Sequence, residues 1–188
     1  MNANHLEKRF HGDIHQLRDN QRLQKMEIEH VVSMCLDGIN LMNVLDIGTG
    51  SGVFAEAFAK RGLQVFGIDA NPEMLAEARK YVPNGEFREA EAEKLPFPDR
   101  TFDLVFMGVL LHESETPLKV LSEARRVAKK RIGILEWPYQ DEEMGPPLAH
   151  RIQPEVIHQW FQKVGFTKWS TNFLKEMVFY LLEIENRI

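Results

Sequence analysis

The stretch MNVLDIGTGSGVFAEAFAKRGLQVFGID, residues 42–69, constrains the fold more than any other part of the chain. A short apolar run ends in Asp46 and meets three glycines at alternate positions, Gly48, Gly50 and Gly52. A run with Val53, Phe54, Ala57 and Phe58 apolar follows, closes at Gly62, and leads into a second apolar run. That order reads as strand, tight turn, helix, strand. Two strands joined through a helix run parallel, and the crossover between them is right-handed.

The alternation continues downstream. NPEMLAEARKYV predicts a helix with Asn71 as N-cap and Pro72 at its first position. GEFREA reads as a third strand and TFDLVFMGVL as a fourth, apolar enough to be buried on both faces. TPLKVLSEARRVAKK is a helix, RIGILEW a fifth strand, PYQDEEMGPPLAHR irregular, and QPEVIHQWFQKVGF the last helix. The tail TKWSTNFLKEMVFYLLEI reads as a hairpin that closes the sheet. Residues 4–37 read as two helical pieces, the second with Leu23, Met26, Ile28, Val31, Met34 and Cys35 mostly on one face. The expected fold is α/β, a Rossmann-like doubly wound, mostly parallel seven-stranded sheet with helices on both faces and an antiparallel C-terminal strand. Residues 1–188 form a single domain in this reading, with 1–40 as a helical cap over a cleft and 41–188 as the core. Ligands of such sheets bind at the carboxyl ends of the strands, where the three glycines lie.

Composition narrows the function classes. Hydrophobic residues make up 44% and charged residues 27% of 188, the profile of one globular domain. A net charge of -5 speaks against a phosphate-backbone partner, so no nucleic acid is expected. Arg125, Arg126, Lys129, Lys130 and Arg131 cluster at a helix end, where cations are favoured without any such partner. The single cysteine excludes an internal disulfide framework, and the seven histidines lack metal-ligand spacing, so no metal is expected. No apolar run approaches the roughly 20 residues that span a bilayer, and MNANHLEKRFHGD lacks a signal-peptide core. The expectation is a cytoplasmic protein without a membrane partner, monomeric or homodimeric.

Three readings compete for DIGTGSGVFA. A Walker loop requires a Lys that does not follow these glycines. A dinucleotide fingerprint is met formally by Gly50, Gly52 and Ala55, with Asp69 ending the next strand. Asp46 decides between them. A carboxylate there would repel a pyrophosphate but suits a cofactor whose near end carries an ammonium and a sulfonium.

Asp46, Gly48, Gly50 and Gly52 fit Asp/Glu-x-Gly-x-Gly-x-Gly without a gap. In this the chain resembles the class I S-adenosylmethionine (SAM) dependent methyltransferases, over roughly residues 40–137. Within them it looks most like the small-molecule type 11 branch, similar to ubiquinone and menaquinone biosynthesis methyltransferases. The resemblance implies SAM as cofactor, S-adenosylhomocysteine as product, and in-line methyl transfer to a small-molecule acceptor. It assigns the amino-acid end of SAM to Asp46, Gly48, Thr49, Gly50 and Gly52, and the ribose to Asp69 with Ala70 alongside. Glu91, Ala92 and Glu93 fall on the adenine edge, with Glu91 where many relatives have Asp. Met107, Gly108 and Leu111, in FMGVLLHE, run under the methionine portion. Two departures stand out: RVAKKRIG replaces a Pro-Gly-Gly turn, and MGVL replaces the Asn/Asp-Pro-Pro-Tyr of adenine and glutamine amino-group methylation.

His112 and Glu113 are the expected catalytic pair on the acceptor side. His112 would act either as base or as pocket lining, and Glu113 as a charge at a helix N-terminus. Tyr139, His150 and Arg151 fall in or beside a substrate loop, with Trp137 covering the core, and Arg18 or Arg22 would meet the SAM carboxylate. Three rivals stay open at this point: a SAM-binding regulatory or partner protein without catalysis, a nicotinamide-binding protein, and an RNA methyltransferase.

Overall fold

The computed structural model describes residues 14–142 and 144–185. A 3-10 turn over Ile14–Arg18 leads into α1 (Asn20–Lys25) and α2 (Ile28–Leu36). The core follows as β1 (Asn43–Ile47), α3 (Val53–Lys60), β2 (Gln64–Asp69), α4 (Pro72–Tyr81), β3 (Glu86–Glu89) and β4 (Phe102–Gly108). It continues with a 3-10 turn (Leu111–Glu113), α5 (Pro117–Val127), β5 (Ala128–Glu136), a 3-10 turn (Leu148–His150), α6 (Pro154–Val164), β6 (Trp169–Phe173) and β7 (Val178–Glu183). The strands form one sheet in the order β3-β2-β1-β4-β5-β7-β6. β7 alone runs against its neighbours, inserted between β5 and β6. The expected doubly wound sheet and closing hairpin are both present.

Side-chain alternation along the strands splits the core in two. Val44, Leu104, Phe106 and Leu135 pack against Val32 and Cys35 of α2, Phe58 of α3 and Ala78 of α4. Leu45, Ile47, Val105 and Ile134 face the other way, onto Leu121 and Ala124 of α5 and Ile157 and Phe161 of α6. Because Asp46 shares its face with Val44, the pleat aims its carboxylate toward α3 and the glycine turn. Local rules set the helix ends. The Asn71 side chain accepts from Glu73 N–H at 2.9 Å, ahead of Pro72, and Gly165 closes α6 at φ 87°.

The structure corrects the sequence reading in two places. The second N-terminal helical piece is broken: α1 ends at Lys25, and Glu27 turns the chain at φ 44° before α2 begins. The first piece, residues 4–18, lies outside the described residues up to position 13. The helix read through Lys130 ends early as well, at Val127, and passes directly into β5, which begins at Ala128 and not at Arg131. β5 takes up the slack with one extra residue, pairing Ala128 with Phe102 and Arg131 with Leu104.

The basic cluster is divided among separate partners. Arg126 is held by Glu123 and Asp99, Lys130 by Asp103, and Arg131 by Glu183, while the Arg125 guanidinium covers Phe166. No helix among the described residues is long and apolar enough to cross a membrane.

Candidate functional site

A cavity of about 380 Å³ opens at the carboxyl ends of β1, β2 and β4. Its floor is the turn after β1, where Gly48, Gly50 and Gly52 all sit at positive φ, 68°, 53° and 76°. At Gly48 the close approach is visible: a Cβ there would lie 2.8 Å from Leu110 Cδ1. Two acids fix this turn. Asp46, 2% exposed, accepts from Thr49 Oγ at 2.7 Å. Asp69 accepts from Gly50 N–H and Asn71 N–H, both at 2.9 Å. Asp69 thus ties the glycine turn to β2 through the loop backbone, a structural task that sequence did not assign it.

Burial, helped by the charge of Asp69 and opposed by hydrogen bonds from Thr49 and Ala55, pushes the Asp46 carboxyl up to about 7. An acid in that state gains most from a cation beside it. Further acids line the same cavity: Glu91, Glu93, Glu113 and Glu115. Glu93 accepts from Ser114 Oγ at 3.0 Å and so joins the loop after β3 to the one after β4. The roof is N-terminal, with Leu17, Arg22 and Met26 facing the cavity. Burial lowers the Arg22 guanidinium below its ordinary range, and the charge of Glu113 partly offsets that. Arg18 is engaged elsewhere, donating to Ser51 O and Glu56 while lying 3.2 Å above the Tyr81 ring. It latches the roof to the turn and does not reach into the cavity.

Val109 follows β4 at φ 54°. A β-branched residue in the left-handed region is strained, by about 1–3 kcal/mol. Its N–H bonds to Leu135 O at 2.7 Å, which locks the kink. The kink ends the strand two residues before the expected limit and swings the next turn across β5. There Glu136, 2% exposed, accepts from Leu111 N–H at 2.7 Å and contacts His112 Nδ1 at 2.9 Å. His112 therefore faces away from the first cavity, into a second one of about 390 Å³ that it shares with Tyr139, His150, Arg151 and Trp160. Burial opposes the charge on His112, but Glu136 and Glu113 outweigh it, and the imidazole is raised above its usual value.

Asp46, Gly48, Thr49, Gly50, Asp69, Ala70, Glu91, Ala92, Glu93, Gly108 and Glu113 line the first cavity together. Four expected site residues do not. Gly52 packs against α4, where a Cβ would meet Ala78 Cα at 2.9 Å. Met107 is fully buried under the sheet, and Leu111 packs into the same core while bordering the second cavity. His112, expected on the acceptor side and not at the cofactor, is held by Glu136 beside the second cavity. Glu113 sits at the end of a 3-10 turn rather than at the start of α5. Trp137 is core, as read, but Arg151 is a structural clasp, donating to Pro138 O, Met144 O and Pro146 O. Sequence reasoning missed Glu136 and Trp160. Glu136 had a usable signal: it is an acid ending an apolar strand, as Asp46 and Asp69 are.

Residues 45–133 match the family described as a methyltransferase domain. The chain is 44% identical over 95 residues to the demethylmenaquinone methyltransferase of Chlorobaculum tepidum, covering 50% of this chain and 39% of that protein. It is 40% identical over 141 residues to the phosphatidylethanolamine N-methyltransferase of Cereibacter sphaeroides, covering 72% and 66%. A crystal structure of a SAM dependent methyltransferase from Aquifex aeolicus superposes with a TM-score of 0.82 at 29% identity, over 92% of this chain and 97% of that one. This chain belongs to the class I SAM-dependent methyltransferases, in the type 11 branch. Its alignments span from about two fifths to two thirds of the length of these two curated relatives. The family match ends at residue 133: Leu111, His112 and Ser114 of the second cavity lie inside it, while Glu136 and the walls from Tyr139 to Trp160 lie beyond it.

Proposed function

We propose that the chain transfers a methyl group from SAM to a small-molecule acceptor, releasing S-adenosylhomocysteine. One observation carries this reading: two carboxylates, Asp46 and Asp69, frame a turn of positive-φ glycines that a cofactor can approach closely. The donor set fits SAM, whose amino-acid end is cationic and whose ribose offers hydroxyl donors. Asp46 and the backbone of Gly48, Thr49 and Gly50 would hold the amino-acid end, Asp69 and Ala70 the ribose, and Glu91, Ala92 and Glu93 the adenine. Bound SAM supplies a methyl group made electrophilic by its sulfonium. The protein contributes position and dryness. Leu17, Met26 and Phe54 wall the cavity against water, which strengthens the charge interactions inside. The two curated relatives carry different acceptors in their names, a quinone precursor and a phospholipid, so neither name transfers.

Calorimetry with SAM, S-adenosylhomocysteine and NAD tests the cofactor. Micromolar binding of the first two and none of NAD is expected, and a preference for NAD would overturn the reading. Release of S-adenosylhomocysteine across an acceptor panel then tests catalysis, with tight SAM binding and no turnover favouring a non-catalytic partner protein.

A further inference from the structure

The two cavities differ in charge. The cofactor cleft is lined by Asp46, Asp69, Glu91, Glu93, Glu113 and Glu115. The second cavity has no acid among its described lining residues, and its ionisable side chains are His112, His150, Arg151 and Tyr139. The cavities meet across the turn Leu111–Glu113: Ser114 borders both, Glu113 faces the cleft, and its neighbour His112 faces the second cavity. A ligand in the second cavity therefore lies beside the cofactor cleft but meets no acid among the described lining residues, with Glu136 and Glu142 standing behind His112 and Arg151 at 2.9 and 3.8 Å. Its apolar walls are Ile152, Val156 and the half-buried ring of Trp160, with Tyr139 at the rim, 43% exposed.

His112 is the pivot. Nδ1 is committed to Glu136 at 2.9 Å, so Nε2, 3.8 Å from Glu113 Oε1, is the ring atom left to meet a ligand. Glu136 from β5 and Glu113 from its own turn favour the imidazolium, and Arg22 from α1 opposes it. From the cavity side, Arg151 adds positive charge, but its donors are held by three backbone carbonyls. An anion entering here meets a buried N–H donor with its counter-charge already in place behind it.

We propose that this cavity is the acceptor subsite, and that it takes a flat aromatic acceptor as its ring oxyanion, a phenolate or enolate. His112 Nε2–H donates to that oxygen, Trp160 and Tyr139 flank the ring, and Glu136 is the positioning residue that fixes the imidazole. The acceptor's hydroxyl proton leaves to solvent on binding. The charge left behind spreads over the oxygen and the ring carbons ortho and para to it. Attack from one of these on the methyl carbon breaks its bond to sulfur, the bonding pair staying on sulfur, and attack through carbon also releases that carbon's proton to solvent. This proposal rests on the methyltransferase reading of the cleft.

The probe is 4-nitrophenol, whose phenolate absorbs visible light while the phenol does not. It is titrated at pH 6 into protein saturated with S-adenosylhomocysteine. Binding with at least a threefold enrichment of the phenolate band is expected. His112→Asn and Glu136→Gln should abolish the enrichment, while Glu136→Gln leaves affinity for non-ionisable 4-nitroanisole within twofold. Trp160→Ala should weaken both probes about tenfold. Tyr139→Ala, at an exposed position that does not threaten folding, should weaken them several-fold. S-adenosylhomocysteine binding should stay within twofold throughout. No nitrophenol binding to the loaded protein overturns the proposal, as does binding that S-adenosylhomocysteine competes away or that ignores these substitutions. Failure of S-adenosylhomocysteine itself to bind overturns the reading of the cleft, and this proposal falls with it.

Discussion

Asp46→Asn separates what the fold needs from what the cofactor needs. In the free protein, burial lifts the Asp46 carboxyl from its ordinary 3.8 to about 7. A carboxylic acid raised in this way binds more protons in the folded chain than in the unfolded one between those two values. Its contribution to stability therefore falls as pH climbs from about 4 to 7 and stays flat above. At 1.36 kcal/mol per unit, a rise of about three units makes ionisation cost roughly 4 kcal/mol at pH 8, and between 1 and 2 kcal/mol at pH 5. Asparagine fills the same space and can still accept from Thr49, but it never ionises. Urea denaturation should find Asp46→Asn more stable than the parent at pH 8, with an advantage about 2–3 kcal/mol larger there than at pH 5. An advantage equal at the two pH values, or a variant less stable at pH 8, would refute the reasoning. The same change should weaken SAM by tenfold or more, since a hydrogen bond to a charged group contributes about 1.5–3 kcal/mol. Gained stability with lost affinity is the signature of a side chain kept for its ligand.

Gly52→Ala should destabilise the fold by about 2–5 kcal/mol in urea denaturation, adding left-handed strain to a Cβ wedged 2.9 Å from the Ala78 backbone. A loss under 1 kcal/mol would mean that α3 and α4 separate freely. Val109→Gly should leave stability within about 1 kcal/mol of the parent, because relief of strain at φ 54° offsets the roughly 2 kcal/mol of lost apolar burial. A loss of 3 kcal/mol would show that the kink is not strained. Arg18→Ala should speed tryptic cleavage after Arg22 and Lys25 several-fold, since the roof loses its hold on Ser51, Glu56 and Tyr81. An unchanged cleavage rate would show that the roof is anchored elsewhere. Because the His112 pKa is raised in the fold, its stabilising contribution is complete below pH 6.5 and is lost as pH rises through the higher folded value. NMR titration should place that midpoint above 6.5 in the parent and lower in Glu136→Gln, and an unmoved midpoint would remove Glu136 from its role.

What the sequence made legible follows from where each constraint resides. The turn at Gly48–Gly52 was readable because positive φ and an unobstructed backbone require glycine locally, and no distant residue has to be known. Asp46 and Asp69 were readable for a related reason, since each has a fixed place in the same local motif, one two residues before the first glycine and one at the end of the next strand. Glu136 also ends a strand, β5, but its partner lies 24 residues back, across a kink at Val109 that no residue preference announces. A valine there argues for extended chain, so the sequence favours a strand running on to Leu110 and gives no sign that His112 turns onto β5. Tertiary bonding reverses that preference: the Val109 amide reaches Leu135, the Leu111 amide reaches Glu136, and the imidazole follows. The break at Glu27 has the same origin, because its side chain accepts from Lys175 N–H at 2.8 Å, in the turn between β6 and β7. Cofactor-side residues are thus written into short motifs, while the cavity beside His112 is assembled from β4, β5 and α6 by long-range contacts. If the second cavity is the acceptor subsite proposed above, relatives that share the first and differ in the second would serve acceptors as unlike as the quinone precursor and the phospholipid in the two curated names.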